Sequence, residues 1–551
     1  MRDLKELTGY DIITEEKIPE VNGTGYILSH KKTKARVLVI ANDDENKVFN
    51  IGFRTPPYDD SGIPHILEHS VLCGSRKYPV KDPFVELAKG SLNTFLNAMT
   101  YSDKTVYPVA SCNEKDFENL MDVYLDAVFY PNIYEHTEIM RQEGWHYELE
   151  TVEGELSYNG VVFNEMKGAF SSPEQQMYSK IEKLLLADTP YKNESGGDPA
   201  AIPTLSQERF LDFHRKYYHP SNSYIYLYGD LDMYKELDYI DKEYLSSFDH
   251  REIDSTIAVQ TAYEQMKDES CFYSIAENES EENQTFLTYK MVVGSSLDKK
   301  QSVAMNILEY AIMDAPGAPM KKALVDAGIG EDVFASFDDG IRQTIFSIVA
   351  RNANMSDKER FVSVIRDTLT DLSGHGEEGK AIDRTSIEAA INNFEFKHKE
   401  ANFGRFPKGL MMGLDAFNTW LYDDASALEM FKLNEVYDEL KESLKTGYFE
   451  ELIWEKLVQN TFGMIFVMKP KKGLDKENDA AEKQKLADYK ASLTEKELEQ
   501  VVSDTKELKL YQETPSPAED MEKVPLLNIS DIRKEIHPLK NREDSIYSMP
   551  L

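Results

Sequence analysis

The sequence has few cysteines and no long apolar run. Of its 551 residues only three are cysteine, at positions 73, 112 and 271. An odd, sparse set forms no disulfide framework, and this spacing gives no CxxC metal site. No stretch approaches the ~18 consecutive apolar residues of a membrane-spanning helix. We therefore expect a protein of a reducing compartment that has no membrane partner.

A targeting segment is also lacking at the start of the sequence. The residues MRDLKE contain no apolar signal core. They also lack the Arg- and Ser-rich, acid-poor character of a transit peptide. This start predicts a cytoplasmic protein, or an organellar one if the N-terminus has been processed.

Basic residues are scarce relative to acidic ones. The chain has 62 Lys and Arg against 98 Asp and Glu, which gives a formal net charge of −36. This excludes a general nucleic-acid binder, because phosphate binding needs a dominant basic face. The acid excess is explained by simple solubility, and it is also compatible with basic partners. With 41% hydrophobic residues the composition is globular, and the length predicts two to four domains.

The order of patterns predicts two similar units followed by a charged segment. In residues 1–255, strands at 25–30, 36–41 and 48–55 precede a hairpin over 94–111, several helices and a late strand at 223–228. Among those helices we expect one over 135–148. Residues 256–469 repeat this order, with a hairpin over 333–351, helices that include one over 425–444, and a late strand at 463–468. The similarity lies in the pattern alone and suggests an old duplication.

The segment after residue 469 is polar and charged. Residues 471–513 have a helical pattern that PSP at 515–517 interrupts. One interpretation of residues 470–551 is a long hairpin of charged helices with a tail, and the other is a solvated linker.

The segment HILEH at 65–69 predicts a metal site on a helix that Pro64 opens. Residues four apart project from one helix face, so His65 and His69 can supply two ligands of a tetrahedral zinc ion. Glu68 can lie beside the metal without binding it, where it can take a proton from water that the metal acidifies. With only 11 histidines in the chain, this spacing is uncommon by chance.

A third protein ligand for zinc must come from elsewhere in the sequence. Five carboxylates downstream qualify by position: Glu138, Glu143, Glu148, Glu155 and Glu165. Glu165 stands in the apolar stretch GVVFNEMKG, and Glu143 in QEGW is its rival. Spacing alone does not choose between them.

Five motifs together resemble one peptidase family. They are HILEHSVLCGS at 65–75, SLNTFLNAMTYSDKTVYPVAS at 91–111, QEGWHYE at 142–148, GVVFNEMKGAF at 160–170 and SGGDP at 195–199. In them the chain resembles the presequence-protease and falcilysin branch, subfamily C, of the pitrilysin-like (M16) zinc metallopeptidases. The resemblance covers essentially the whole chain and is strongest over 50–230. It implies an α+β fold with two homologous LuxS/MPP-like α/β sandwich domains, each an antiparallel-rich sheet covered by helices, followed by a helical hairpin linker.

The resemblance also assigns roles to residues. It implies one Zn²⁺ per chain on His65, His69 and Glu165, with Glu68 as general base. A strand of the family holds the substrate backbone, and Asn97 and Ala98 match it here. That strand can accept an extended peptide by edge pairing, although an ordinary buried hairpin strand would have the same pattern. The implied function is a zinc metalloendopeptidase that degrades unfolded peptides such as presequences.

The chain departs from this family in length. Members of the branch are about twice as long, and their second half supplies an Arg and a Tyr that no position here matches. Partners are therefore expected to be unfolded peptides, together with a C-terminal-half chain or a second copy of this chain. The alternatives are a non-catalytic or partner-dependent half-subunit and a zinc hydrolase of non-peptide bonds. The SGGDP loop at 195–199 can line the space in which the substrate binds, or it can form an ordinary surface turn.

Overall fold

The structure, a computed structural model, describes residues 2–376 and 379–534 and the backbone of two short strands near the end of the chain. The strands of the first unit are β1 Tyr10–Ile18, β2 Gly23–His30, β3 Arg36–Ala41, β4 Lys47–Arg54, β5 Asn93–Leu96, β6 Met99–Thr100, β7 Lys104–Ser111, β8 His146–Glu148, β9 Ser157–Asn159 and β10 Ser223–Gly229. Its helices are α1 Ile63–Val71, α2 Pro83–Gly90, α3 Glu114–Phe129, α4 Thr137–Glu143, α5 Val161–Ala169, α6 Pro173–Leu185, α7 Gln207–Tyr217 and α8 Met233–Glu243.

The first sheet has the strand order β1-β2-β3-β10-β4-β7-β5, and β6 also pairs with β7. The late strand β10 lies parallel to β3 and antiparallel to β4 in the centre of the sheet. All seven residues of β10 are buried, which agrees with a strand that is covered on both faces. Strand β5 stands last in this order and is therefore an edge strand.

The second unit has its own sheet, with the order β11-β15-β12-β14-β13. Its strands are β11 Lys267–Ile275, β12 Thr285–Ser295, β13 Asp332–Asp338, β14 Gln343–Ala353 and β15 Gly463–Lys472. Its helices are α9 Lys299–Glu309, α10 Pro319–Asp326, α11 Lys358–Leu372, α12 Arg384–Glu400, α13 Lys408–Trp420, α14 Asn434–Ser443 and α15 Tyr448–Ile453.

Each unit also covers a face of the other unit's sheet. Tyr224 of β10 packs edge-on against Trp420 of α13, with ring centroids 5.0 Å apart. In the same way Ile181 of α6 is fully buried in a cluster with Phe466 of β15. The predicted domain boundaries at residues 255 and 469 stay predictions, and this exchange of helices means that the two sheets share their packing.

The charged C-terminal segment forms helices α16 Leu474–Ser492 and α17 Glu495–Glu513, followed by the short α18 Ala518–Met521. The turn between α16 and α17 carries a capping box on Thr494. Leu486 and Leu508 are buried, and Leu486 packs with Leu149 and Leu156 of the first unit. Charged helices are therefore present over residues 474–513, and their buried leucines argue against a solvated linker there. Residues 535–544 of the predicted tail lie outside the described residues.

Two predicted helices differ from the structure. The helix predicted over 135–148 ends at Glu143, because Gly144 leaves helical geometry and His146–Glu148 pair with β9 instead. The helix predicted over 425–444 is divided into a 3₁₀ segment, Asp424–Phe431, and α14. Tertiary packing overrides a continuous helical pattern in both cases. Within the described residues, no helix has the length and apolar character needed to cross a lipid bilayer.

Candidate active site

Helix α1 presents His65 and His69 on one face and packs its other face into the core. Ile66, Leu67 and Val71 are fully buried, so the helix has a fixed orientation. Pro64 lies in its first turn, where the missing N–H costs no hydrogen bond. The predicted helix and its i, i+4 histidine pair are thus present, and the two imidazole rings lie 4.9 Å apart.

A carboxylate from α5 completes a triangle with these histidines. One oxygen of Glu165 lies 3.7 Å from Nε2 of His65 and 3.6 Å from Nε2 of His69. Ligands held by a tetrahedral zinc ion at about 2.1 Å are about 3.4 Å apart, so these two distances are close to that spacing. Ligand atoms of the three residues all lie within 4.8 Å of one another. The structure brings the three predicted ligands together, and their binding of a metal stays a prediction.

The other ring nitrogens of the two histidines have hydrogen-bond partners. Nδ1 of His65 lies 3.2 Å from the carbonyl oxygen of Gly196, and Nδ1 of His69 lies 3.2 Å from Oε2 of Glu143. When Nδ1–H donates to an oxygen, Nε2 keeps its lone pair free for a metal. Both imidazoles are therefore held in the tautomer that a metal on the Nε2 side needs.

Glu143, the rival third ligand, lies on the far side of His69. It is buried at the end of α4, where it accepts a hydrogen bond from Nε2 of Gln142 at 2.7 Å. Burial by itself would raise the pKa of Glu143, but the hydrogen bonds from His69 and Gln142 outweigh it and hold that pKa below its usual value. Glu143 is placed to orient His69, whereas Glu165 faces the free Nε2 atoms.

The SGGDP loop packs directly on the N-terminus of α1. Gly62 and Gly197 both have positive φ, at 70° and 102°, and a Cβ on Gly62 would stand 2.7 Å from the carbonyl oxygen of Gly196. Only residues without a side chain allow two backbones to approach this closely. The loop is therefore part of the site, because it delivers the carbonyl that His65 meets. The adjacent glycines Gly196 and Gly197 were the signal in the sequence for this close approach of two backbones.

Glu68 and the predicted peptide strand line a common cavity. Its volume is about 400 Å³, and its lining includes Glu68, His69, Asn97 and Ala98. Glu68 is 9% exposed and does not belong to the ligand triangle. The candidate base therefore faces the same space as the strand residues that were predicted to hold a peptide.

Asn97 and Ala98 directly follow the edge strand β5, before β6 begins. The Asn97 N–H donates to the carbonyl of Pro108 at 3.4 Å, and its carbonyl accepts from the Tyr124 hydroxyl at 3.2 Å. The side chain of Asn97 is exposed, whereas Ala98 is buried. The strand predicted over 94–101 is divided into β5 and β6, and Asn97 and Ala98 lie in the break between them. Their peptide-binding role stays a prediction.

Among the cavity residues that sequence reasoning missed, two come from segments far apart in the chain. Gln512 comes from the end of α17, and Lys81 precedes α2. More than 400 residues separate them in the chain, so no local pattern could indicate that they meet.

Three family models match consecutive parts of the chain. The model described as Insulinase (Peptidase family M16) matches residues 48–179. The model of the Peptidase M16 inactive domain matches residues 204–394, and the model of the region associated with subfamily C of the M16 peptidases matches residues 468–550. The first of these matches contains the whole ligand triangle.

Curated relatives match almost the whole chain. The chain is 48% identical over 539 residues to Protein HypA of Clostridium perfringens (strain 13 / Type A), covering 98% of this chain and 55% of that protein. It is 40% identical over 542 residues to Presequence protease 1, chloroplastic/mitochondrial, of Arabidopsis thaliana, covering 97% of this chain and 50% of that protein. The chain thus spans about half the length of these relatives.

Solved structures share the fold at low sequence identity. Pitrilysin aligns with a TM-score of 0.56 and 18% identity, covering 84% of this chain and 47% of that one. A protease from Helicobacter pylori aligns with a TM-score of 0.60 and 15% identity, covering 81% of this chain and all of that one. These structures show a shared fold, whereas the family models and the relatives show that this chain belongs to the M16 family of peptidases, in its subfamily C. The predicted fold class is confirmed.

Proposed function

We propose that this chain is the zinc-binding half of a metalloendopeptidase that cleaves unfolded peptides. The observation that carries the proposal is the triangle of His65, His69 and Glu165, with Glu68 beside it in the cavity that Asn97 also lines. A zinc ion held by these three ligands supplies Lewis-acid chemistry that polarises a peptide carbonyl and acidifies water. The two Nε2 atoms and the carboxylate are the kinds of ligand that zinc prefers.

Glu68 is the residue that moves the proton. Its carboxylate takes a proton from the attacking water and returns it to the nitrogen of the leaving amine. On α1, one residue before His69, this carboxylate would lie beside a peptide bond held at the metal, and it is not one of the three clustered ligands. The near-complete burial of Glu68 keeps its interactions with the reaction strong, because little water screens them.

The edge strand β5 holds the peptide. An extended chain adds to a strand edge through backbone hydrogen bonds, which are nearly independent of sequence. The exposed side-chain amide of Asn97 can donate to a peptide carbonyl, and Ala98 can offer its backbone. Folded proteins lack a free extended segment, so this mode of binding favours unfolded substrates.

A partner-dependent half-subunit is the second candidate. Coverage of only 50–55% of the first two relatives favours it, as does the match of residues 204–394 to an M16 inactive domain. In that case a C-terminal-half chain or a second copy of this chain closes the site. The chain by itself would then bind zinc and cleave peptides slowly.

A cleavage assay on short unstructured peptides tests the proposal. We expect cleavage that o-phenanthroline abolishes and added zinc restores, and that is faster when a C-terminal-half chain is supplied. Bound zinc with no cleavage under either condition would contradict peptidase activity and leave a non-catalytic subunit. Cleavage that resists the chelator would contradict the metal mechanism.

A further inference from the structure

The end of helix α17 is fastened to the wall of the active-site cavity. The ammonium group of Lys81 donates to the carbonyl of Tyr511 in the last turn of that helix and to the carbonyl of Thr514, which caps it. The Lys81 backbone N–H donates to Oγ of Ser516 at 3.0 Å. A cation at a helix C-terminus also interacts favourably with the helix dipole. This end of α17 therefore has a fixed position beside the cavity.

The rest of α17 is bonded to α4, which carries Glu143, and to the segment that follows α4. Arg141 of α4 donates to the carbonyl of Asp504 at 2.8 Å, and the backbone N–H of Leu149 donates to Oγ1 of Thr505 at 3.0 Å. Lys509 forms an ion pair with Glu148 at 3.1 Å. Helix α17 is thus held in one position relative to α4 and the metal site.

Gln512 is the side chain that this arrangement presents to the cavity. It lines the same 400 Å³ space as Glu68, His69 and Asn97. It is exposed, and its amide makes no hydrogen bond to any residue in the described part of the chain. A side-chain amide with free donors and acceptors, on a fixed helix end that lines the same cavity as Glu68 and His69, is suited to bind a polar group of a peptide.

We propose that Gln512 is a specificity-determining residue, which contacts one side chain of the bound peptide while β5 holds the peptide backbone. This inference rests on the proposed peptidase function. It gives the C-terminal hairpin a second role, because α17 then forms a wall of the substrate site as well as part of the scaffold. Strand β5 contributes affinity that depends little on sequence, and Gln512 adds a preference at one position.

A charge exchange at Gln512 tests this proposal by peptide binding. The full chain carries Glu68→Gln to prevent turnover, and it is loaded with zinc. The probes are fluorescently labelled unstructured peptides in which a single Lys or Glu is moved through successive positions. At one position we expect Gln512→Glu to favour the Lys peptide over the Glu peptide by about two- to fivefold, and Gln512→Lys to reverse that preference. Zinc content should be the same in all variants.

Gln500→Glu is the matched control. Gln500 lies on the same helix, and its amide bonds to Asp504 at 2.8 Å, outside the lining of the cavity. Gln500→Glu makes the same change in net charge as Gln512→Glu, so an equal effect of Gln500→Glu on the peptide preference would overturn the proposal. Peptides that bind while both Gln512 variants keep the original preference at every position would also overturn it. Failure of every peptide to bind the zinc-loaded chain would instead overturn the proposed function, and this inference with it.

Discussion

Three glutamates surround the histidine pair, and the structure gives each a different position. Glu165 meets the Nε2 atoms of both histidines, Glu143 meets Nδ1 of His69, and Glu68 faces the cavity. The three residues have the same chemistry, so their positions relative to the ring nitrogens determine what each can do. Two substitution experiments separate these roles.

Glu68→Gln should retain the metal and lose turnover. The substitution keeps the size of the side chain but removes its ability to accept a proton, and Glu68 is not one of the three clustered ligands. We expect zinc content near one per chain and peptide cleavage reduced by roughly 10²–10⁴-fold. Metal analysis and a cleavage assay on the same preparation measure both. Unimpaired cleavage would rule out Glu68 as the base.

Glu165→Ala and Glu143→Ala should differ in their effect on zinc affinity. Loss of Glu165 removes one of three ligands, so we expect the purified chain to contain little zinc. Loss of Glu143 removes only the partner that orients His69, which typically costs about 10–100-fold in affinity. Competition with a zinc chelator measures both. Full zinc occupancy in Glu165→Ala would show that another residue is the third ligand.

At the scale of elements, the site depends on segments that are far apart in the sequence. Helix α1 carries two ligands, α5 the third, and the SGGDP loop the carbonyl for His65. Helix α17 closes one side although it follows α1 by more than 400 residues. The apolar contacts of α17 with the first unit should therefore contribute to the stability of the whole site.

Leu508→Ala should destabilise the protein far more than Leu510→Ala. Both residues lie on α17, but Leu508 is 1% exposed and Leu510 is 66% exposed. Removing a buried leucine side chain costs about 2–5 kcal/mol, whereas a surface change usually stays within about 0.5 kcal/mol. Denaturant unfolding measures the two free energies. Equal values would mean that α17 is not packed in solution.

At the scale of the whole molecule, the two units are interlocked. Each sheet has one face covered by a helix from the other unit, and a buried polar cluster joins them. Asp103 of the first unit is fully buried and accepts hydrogen bonds from Tyr191 at 2.6 Å and Tyr422 at 2.5 Å. Lys104 beside it donates to the carbonyl of Gly340 in the second unit at 2.8 Å. The units are therefore expected to unfold together.

A fragment of residues 1–255 should not fold cooperatively. It lacks α13, so Tyr224, Tyr226 and Tyr228 of the central strand would face water. All three are at most 1% exposed in the full chain. Large apolar patches exposed in this way promote aggregation. We expect the full chain to give one sharp unfolding transition and the fragment to aggregate or lack one. A soluble fragment with its own cooperative transition would contradict the interlocked packing.

Local patterns were sufficient for much of the structure. The spacing of His65 and His69 predicted their shared face, because helix periodicity is a local property. The helix over 135–148 could not be predicted correctly, since pairing between His146–Glu148 and β9 decides its end. Helix α13 was missed because its apolar sequence is explained only by the sheet face that it covers.

The sequence by itself determined the motif helix and part of the order of the elements, and through resemblance it predicted Glu165 as the third ligand. Those features follow from residue periodicity and from motifs that are contiguous in the chain. Only the tertiary structure decided that Glu143 contacts Nδ1 of His69, that Gly196 meets His65, and that Gln512 lines the cavity. These contacts join residues from about 70 to more than 400 positions apart, and their geometry is set by packing of both units and the hairpin, which no local pattern encodes.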